Sequence, residues 1–213
     1  MGAEKYLGSI GYILALVGIF VSVPYARTSL LQPITLIGLL MVAIAWLLLG
    51  IREKDTLLKA TGVAIIVAPI IILALAFAVA YPLLKPPSPH GVPFVSPGIF
   101  LSKLITVFVV AAIVIVAVVI LHIAAHFRAA RKLQISTFKY AGVTHAAALV
   151  LAVALTVALF TTFLTRAQEI LGAMLMGTPP LALLSTVILI AIIMAVVQIA
   201  AYILSAVSFL KLT

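Results

Sequence analysis

KLITVFVVAAIVIVAVVILHIAAHFRAARK, residues Lys103 to Lys132, decides the fold. From Leu104 to Leu121 it runs 18 residues whose one polar atom is the hydroxyl of Thr106, and it closes on His122, His126, Arg128, Arg131 and Lys132. A run of that length suits a hydrocarbon core of about 30 Å at about 1.5 Å per residue. Within such a core, helices and closed barrels are the structures that satisfy their own backbone groups. The stretch therefore predicts a membrane-spanning helix with a basic, cytoplasm-facing end.

The rest of the chain has the same character. Of 213 residues, 66% are hydrophobic and 8% charged, with a mean hydropathy of +1.44, whereas a soluble domain carries roughly a quarter charged residues. The net charge of +9 comes from 13 Lys and Arg against 4 Asp and Glu. These cations are scattered between apolar runs, which speaks for membrane topology and against a nucleic-acid groove. Cysteine is absent, which removes disulfides and thiolate metal sites. Asparagine is absent too, and with a proline-rich loop this composition points to a thermophilic source.

Six spans are predicted in an all-α membrane domain covering 1–213. The first, 6–25, has the length of a signal peptide as well and is read as a retained span. Its Gly11, Ala15 and Gly18 form a small-residue stripe where another helix can approach. The second span, 30–51, carries Pro33 in its first turn and Trp46 near the interface marked by Arg52. The turn Arg52 to Asp55 alternates in charge and reads as a solvated, self-paired loop. The third span, 57–84, holds Pro69 near its middle, where a kink is expected.

Pro82 to Gly98 contains six prolines in 17 residues and reads as a stiff external loop. The fourth span is 99–127, followed by a basic turn from Arg128 to Lys139, and the fifth is 140–164. In the fifth, Thr156, Thr161 and Thr162 can return their hydrogen bonds to the preceding turn. Residues 167–176 read as a short interfacial helix, stopped by Gly177. The last span, 179–210, buries the amide of Gln198, for a neighbouring helix or a pathway.

Six spans place both termini on one side. That side collects Lys5, Arg52, Lys54, Lys59, Arg128, Arg131, Lys132, Lys139 and Lys211, and the other keeps Arg27, Lys85, Lys103 and Arg166. The bias makes both ends cytoplasmic and the location a plasma membrane. Each helix leaving that side begins with Lys and has Gly three residues on, at Lys5 and Gly8, Lys59 and Gly62, Lys139 and Gly142. Three related helical hairpins would give this pattern, as would generic snorkelling lysines.

Chemistry is sparse. Neither Asp nor Glu falls inside a span, which removes the ordinary carriers of ion coupling, and no enzyme motif is present. His122, His126 and His145 approach the cytoplasmic interface of one hairpin. They are candidate axial ligands for a haem b, and the i, i+4 pair could hold a divalent metal. No carboxylate lies near to complete a metal site, so none is assigned, and headgroup-solvated imidazoles are the plainer expectation.

Leu7-Gly8-Ser9-Ile10-Gly11-Tyr12-Ile13-Leu14-Ala15-Leu16-Val17-Gly18, then Leu36-Ile37-Gly38-Leu39-Leu40 and the turn Arg52 to Asp55 with Leu58-Lys59, resemble a family of small archaeal and bacterial polytopic membrane proteins, the domain-of-unknown-function family 996. The likeness covers about residues 5–75. Here the turn is mixed in charge where the family's is acidic or polar, and the proline-rich loop has no counterpart in the resemblance. The resemblance implies an archaeal membrane protein and no particular activity.

The functional expectation is a structural or accessory subunit of a larger membrane complex, of respiratory type, with lipid and other membrane subunits as partners and no catalysis of its own. Alternatives are a small transporter or channel using Pro69, Thr156 and Gln198, or a haem-binding electron carrier.

Overall fold

The computed structural model describes residues 2–22, 32–84, 97–176 and 185–213. They form six helices: α1 (Ala3–Ser22), α2 (Gln32–Arg52), α3 (Thr56–Leu84), α4 (Pro97–Leu133), α5 (Ser136–Leu175) and α6 (Ser185–Leu210). The protein is all-helical, and five of the helices are long and apolar enough to cross a membrane, while α1 falls short of that measure over its described residues. Each helix packs on its sequence neighbours, and α6 returns to pack on α1, so the six make a closed ring.

One end of the ring carries the start of α1, the α2–α3 and α4–α5 turns and the end of α6. We call it the closed end. The α2–α3 turn is built by its residues: Lys54 adopts a left-handed φ of 49°, and Asp55 Oδ1 accepts from the backbone N–H of Leu57 and Leu58 at 3.1 and 3.3 Å, capping α3. The α4–α5 turn is Gln134 and Ile135, with Gln134 at φ 56° and its side-chain amide donating to the Arg131 carbonyl at 2.7 Å.

Glycine lets the helices touch. A Cβ on Gly38 would collide with the backbone of Ala15 and Gly11, and one on Gly11 would lie 2.8 Å from the backbone nitrogen of Val42. The stripe Gly11, Ala15, Gly18 thus lies along the α1–α2 crossing, Gly18 facing Thr35. The three glycines of the Lys-x-x-Gly pattern also sit at crossings. Gly8 faces Phe209 of α6, Gly62 faces Ala43 and Leu47 of α2, and Gly142 faces His126 and Phe127 of α4. Each outgoing helix thereby makes room for the incoming helix before it in the ring.

Several boundaries and environments differ from the sequence expectation. The basic turn expected over Arg128 to Lys139 is mostly helix: α4 runs to Leu133 and α5 starts at Ser136, because Ala125 and Ala129 pack into the core and Ala, Arg and Lys favour helix. Pro82 lies inside α3, and Pro97 opens α4, a position where its missing N–H costs little. The remainder of the proline-rich loop, Arg27 and Thr28, and the start of the last span lie outside the described residues. α3 continues through Pro69 as one helix. In α5 the backbone leaves helical geometry at Arg166 (φ −128°, ψ 20°), dividing the long span from residues 167–175.

The turn Arg52 to Asp55 is not merely self-paired. Arg52 reaches Glu4 of α1 as well as Glu53, and Arg128 of α4 donates to Asp55 at 2.7 Å. Lys132 donates to the Glu53 carbonyl. The charges expected to be solvated instead tie three helices together.

Candidate functional site

The core of the ring lies at the closed end, and its largest fully buried side chains include Trp46, Tyr12, Phe138, Phe209 and His126. Trp46, expected at an interface, is 0% exposed. Its position six residues before Arg52 places it a turn and a half inside the helix, where it meets aromatic rings from four other helices. Its indole N–H donates to the Tyr12 hydroxyl at 3.0 Å.

The histidines are in this core. His126 and His145 are buried and His122 is half-buried, which overturns the expectation of headgroup-solvated imidazoles. His122 and His126 share a face of α4 at i, i+4, and Gly142 on α5 lets that helix come close enough for His145 to join them. The ring centroids are 4.5 Å (His122 to His126), 4.9 Å (His122 to His145) and 5.1 Å (His126 to His145) apart.

A hydrogen-bond network holds each ring. The Tyr12 hydroxyl lies 3.0 Å from His122 Nε2. His126 Nδ1 lies 2.9 Å from the His122 carbonyl, and since a carbonyl only accepts, that nitrogen carries a proton. Ser205 Oγ of α6 stands between the other two, 3.0 Å from His126 Nε2 and 3.1 Å from His145 Nε2. It is also 2.8 Å from its own helix's Ala201 carbonyl. Ser205 has one proton to donate, so it serves one of His126, His145 and Ala201 at a time. His122 Nδ1 is buried with no hydrogen-bond partner among the described residues.

A haem does not fit between these rings. Axial histidines stand on opposite faces of a macrocycle, whereas here the three imidazoles pack directly on one another, with Trp46 4.9 Å and Phe138 6.0 Å from His126 by ring centroids. The residues proposed for a pathway do not converge. Pro69 and Thr156 are exposed on the outside of the ring, Thr156 returning its hydroxyl to Ala152 at 2.9 Å. Gln198 is half-buried, within hydrogen-bonding reach of Tyr202.

Among known proteins nothing matches: no family model, no curated protein and no solved structure is similar to this chain.

The sequence pointed to the histidines and missed their partners. Tyr12, Trp46, Tyr202 and Ser205 are the polar-tipped residues of α1, α2 and α6 at a depth matching His122 and His126. That shared depth was the available signal, since a buried hydroxyl or indole N–H needs a partner in the membrane.

Proposed function

We propose that this protein is a membrane-embedded accessory subunit whose far end is completed by other membrane proteins. The observation that supports the reading is the contrast in burial along the helices. In the most apolar stretch of α4 no residue is buried against the chain itself, and in that of α5 only 6% are, against 39% in α2. Phe108, Ile113, Val150 and Phe160 all stand more than 60% exposed. Faces that are apolar on every side can meet lipid or other helices but cannot line a wet pathway, which speaks for assembly over transport. In this reading both termini face the cytoplasm, from the bias of Lys and Arg toward the closed end, and the chain performs no catalysis of its own.

Native mass spectrometry on the protein extracted gently from its own membranes tests this. A particle well above 22.4 kDa with other polypeptides attached is expected. A bare monomer from several mild extractions overturns the proposal.

A further inference from the structure

We propose that His122, His126 and His145 form a binding site for a late first-row transition-metal ion, copper or zinc, buried at the closed end of the bundle. One ring nitrogen from each histidine lies within 4.8 Å of one from each of the others. In a tetrahedral site with metal–nitrogen bonds of about 2.0–2.1 Å, the nitrogens stand about 3.3 Å apart. A difference of that size is within the reach of side-chain rotation.

The arrangement of hydrogen bonds is that of a metal site with its supporting partners. A ligating imidazole ordinarily gives its other nitrogen to an oxygen that fixes the ring. Each histidine here has such an oxygen: the Tyr12 hydroxyl for His122, the His122 carbonyl for His126 and the Ser205 hydroxyl for His145. That leaves His122 Nδ1 as one ligand atom; His126 offers Nε2 once Ser205 withdraws its hydrogen bond, and His145 offers the third nitrogen. Ser205 releases His126 Nε2 by turning its proton to the Ala201 carbonyl, already 2.8 Å away. The unpartnered nitrogen of His122 is the independent sign. A buried polar atom without a partner calls for an explanation, and a ligand supplies one.

The donors select the ion. Magnesium and calcium require several oxygen ligands, and the cluster contains no carboxylate. Neutral imidazoles suit zinc, copper, iron and nickel, with copper bound most strongly in the divalent series. Because the cluster brings no negative charge, the ion is retained by bond strength to nitrogen and not by charge balance. That favours the upper end of the series.

The lone tryptophan provides the assay, since Trp46 is the single Trp of the chain and its ring lies 4.9 Å from His126 and 5.7 Å from His122. The full chain, purified in detergent without a polyhistidine tag and stripped with EDTA, is titrated with copper(II) sulfate while Trp46 emission is followed. Zinc chloride is then added in competition. The expected result is loss of more than half the emission, saturating at one equivalent, with affinity at least about tenfold weaker in His122→Gln and His145→Gln and unchanged in His90→Gln, which alters the fourth histidine of the chain, in the proline-rich stretch 82–98. Suppression of the quench by zinc at comparable concentration assigns the site to zinc; copper that zinc displaces only in large excess follows the affinity order of imidazole donors and supports the site for either ion. Absence of saturable binding of either ion overturns the proposal, as does equal binding by the two variants with their helical circular dichroism intact. Should both variants fail to fold, X-ray absorption of the metal-loaded wild-type chain decides: imidazole scattering supports the site, and an oxygen-only shell eliminates it.

Discussion

The two ends of the ring are built from equally apolar helices and pack quite differently. At the closed end α1, α2, α4, α5 and α6 interlock through Trp46, Tyr12, Phe138 and Phe209. Toward the far end, Phe108, Ile113 and Phe160 point away from the chain. Hydrophobicity does not distinguish them. Lipid tails are as apolar as leucine, so helices in a bilayer gain little from hiding leucine or valine from lipid. What draws them together is close backbone approach and hydrogen bonding, and the closed end has both. Gly8, Gly11, Gly38, Gly62 and Gly142 lie at its crossings or just beyond, and the Trp46, Tyr12, histidine and Ser205 bonds tie five helices.

The sharpest way to break this contrast is Gly38→Leu. A side chain there meets the backbone of Ala15 and Gly11, which cannot step aside as a flexible side chain could. We expect a loss of more than about 4 kcal/mol, read as collapse of the monodisperse fraction in detergent. Trp46→Ala comes next. It empties the centre of the core and strips the Tyr12 hydroxyl of its donor, at a cost of about 3–5 kcal/mol, measurable by denaturant titration of helical circular dichroism in micelles.

Asp55→Ala tests the rim of the same end. It removes the cap of α3, worth about 1 kcal/mol; the Arg128 pair adds little, since the Arg128 side chain is 55% exposed. Burial pushes the Asp55 carboxyl up, but the Arg128 guanidinium and the N–H groups of Leu58 and Leu57 outweigh it and hold the pKa below its ordinary 3.8. A carboxyl whose folded pKa is depressed contributes in full above its unfolded value and loses that contribution as pH falls through the folded one. Wild-type resistance to denaturant should therefore be level in this respect from pH 5 to 8 and decline below about pH 4. The Asp55→Ala chain should lack that part of the decline.

Phe160→Ala at the far end should have the smallest effect, within about 0.5 kcal/mol for the isolated chain, because Phe160 is 65% exposed. A loss as large as that of Trp46→Ala would mean that the far end packs on itself, and the contrast would be gone. If Phe160→Ala leaves the chain stable while its assembly with other membrane proteins weakens, the far end is the docking face.

How much of this was legible in the sequence follows the same division. The helical membrane character was plain, because a run such as Leu104 to Leu121 has few physical alternatives. The histidine cluster was half legible. Chain order brings His122, His126 and His145 to one end, but whether they face lipid, headgroups or one another depends on the rotation of α4 and α5. That rotation is set by remote contacts, such as Gly142 against His126 and Ser205 between two rings, and Ser205 lies 79 residues after His126. The turn after α2 was misread for a related reason. Its charges alternate along the chain, so pairing within it looked sufficient, while their partners Glu4 and Arg128 arrive from other helices.

The packing of α6 back on α1 has a consequence for biosynthesis. A chain inserted helix by helix has α1 waiting at an open seam until the sixth helix arrives, and α6 delivers both Ser205 and the Phe209 ring that fills the space beside Gly8. Until then the imidazoles lack a wall and one of their hydroxyl partners. The sixth helix is thus the one that seals the interior, and a chain truncated before it would present an open, polar seam to lipid.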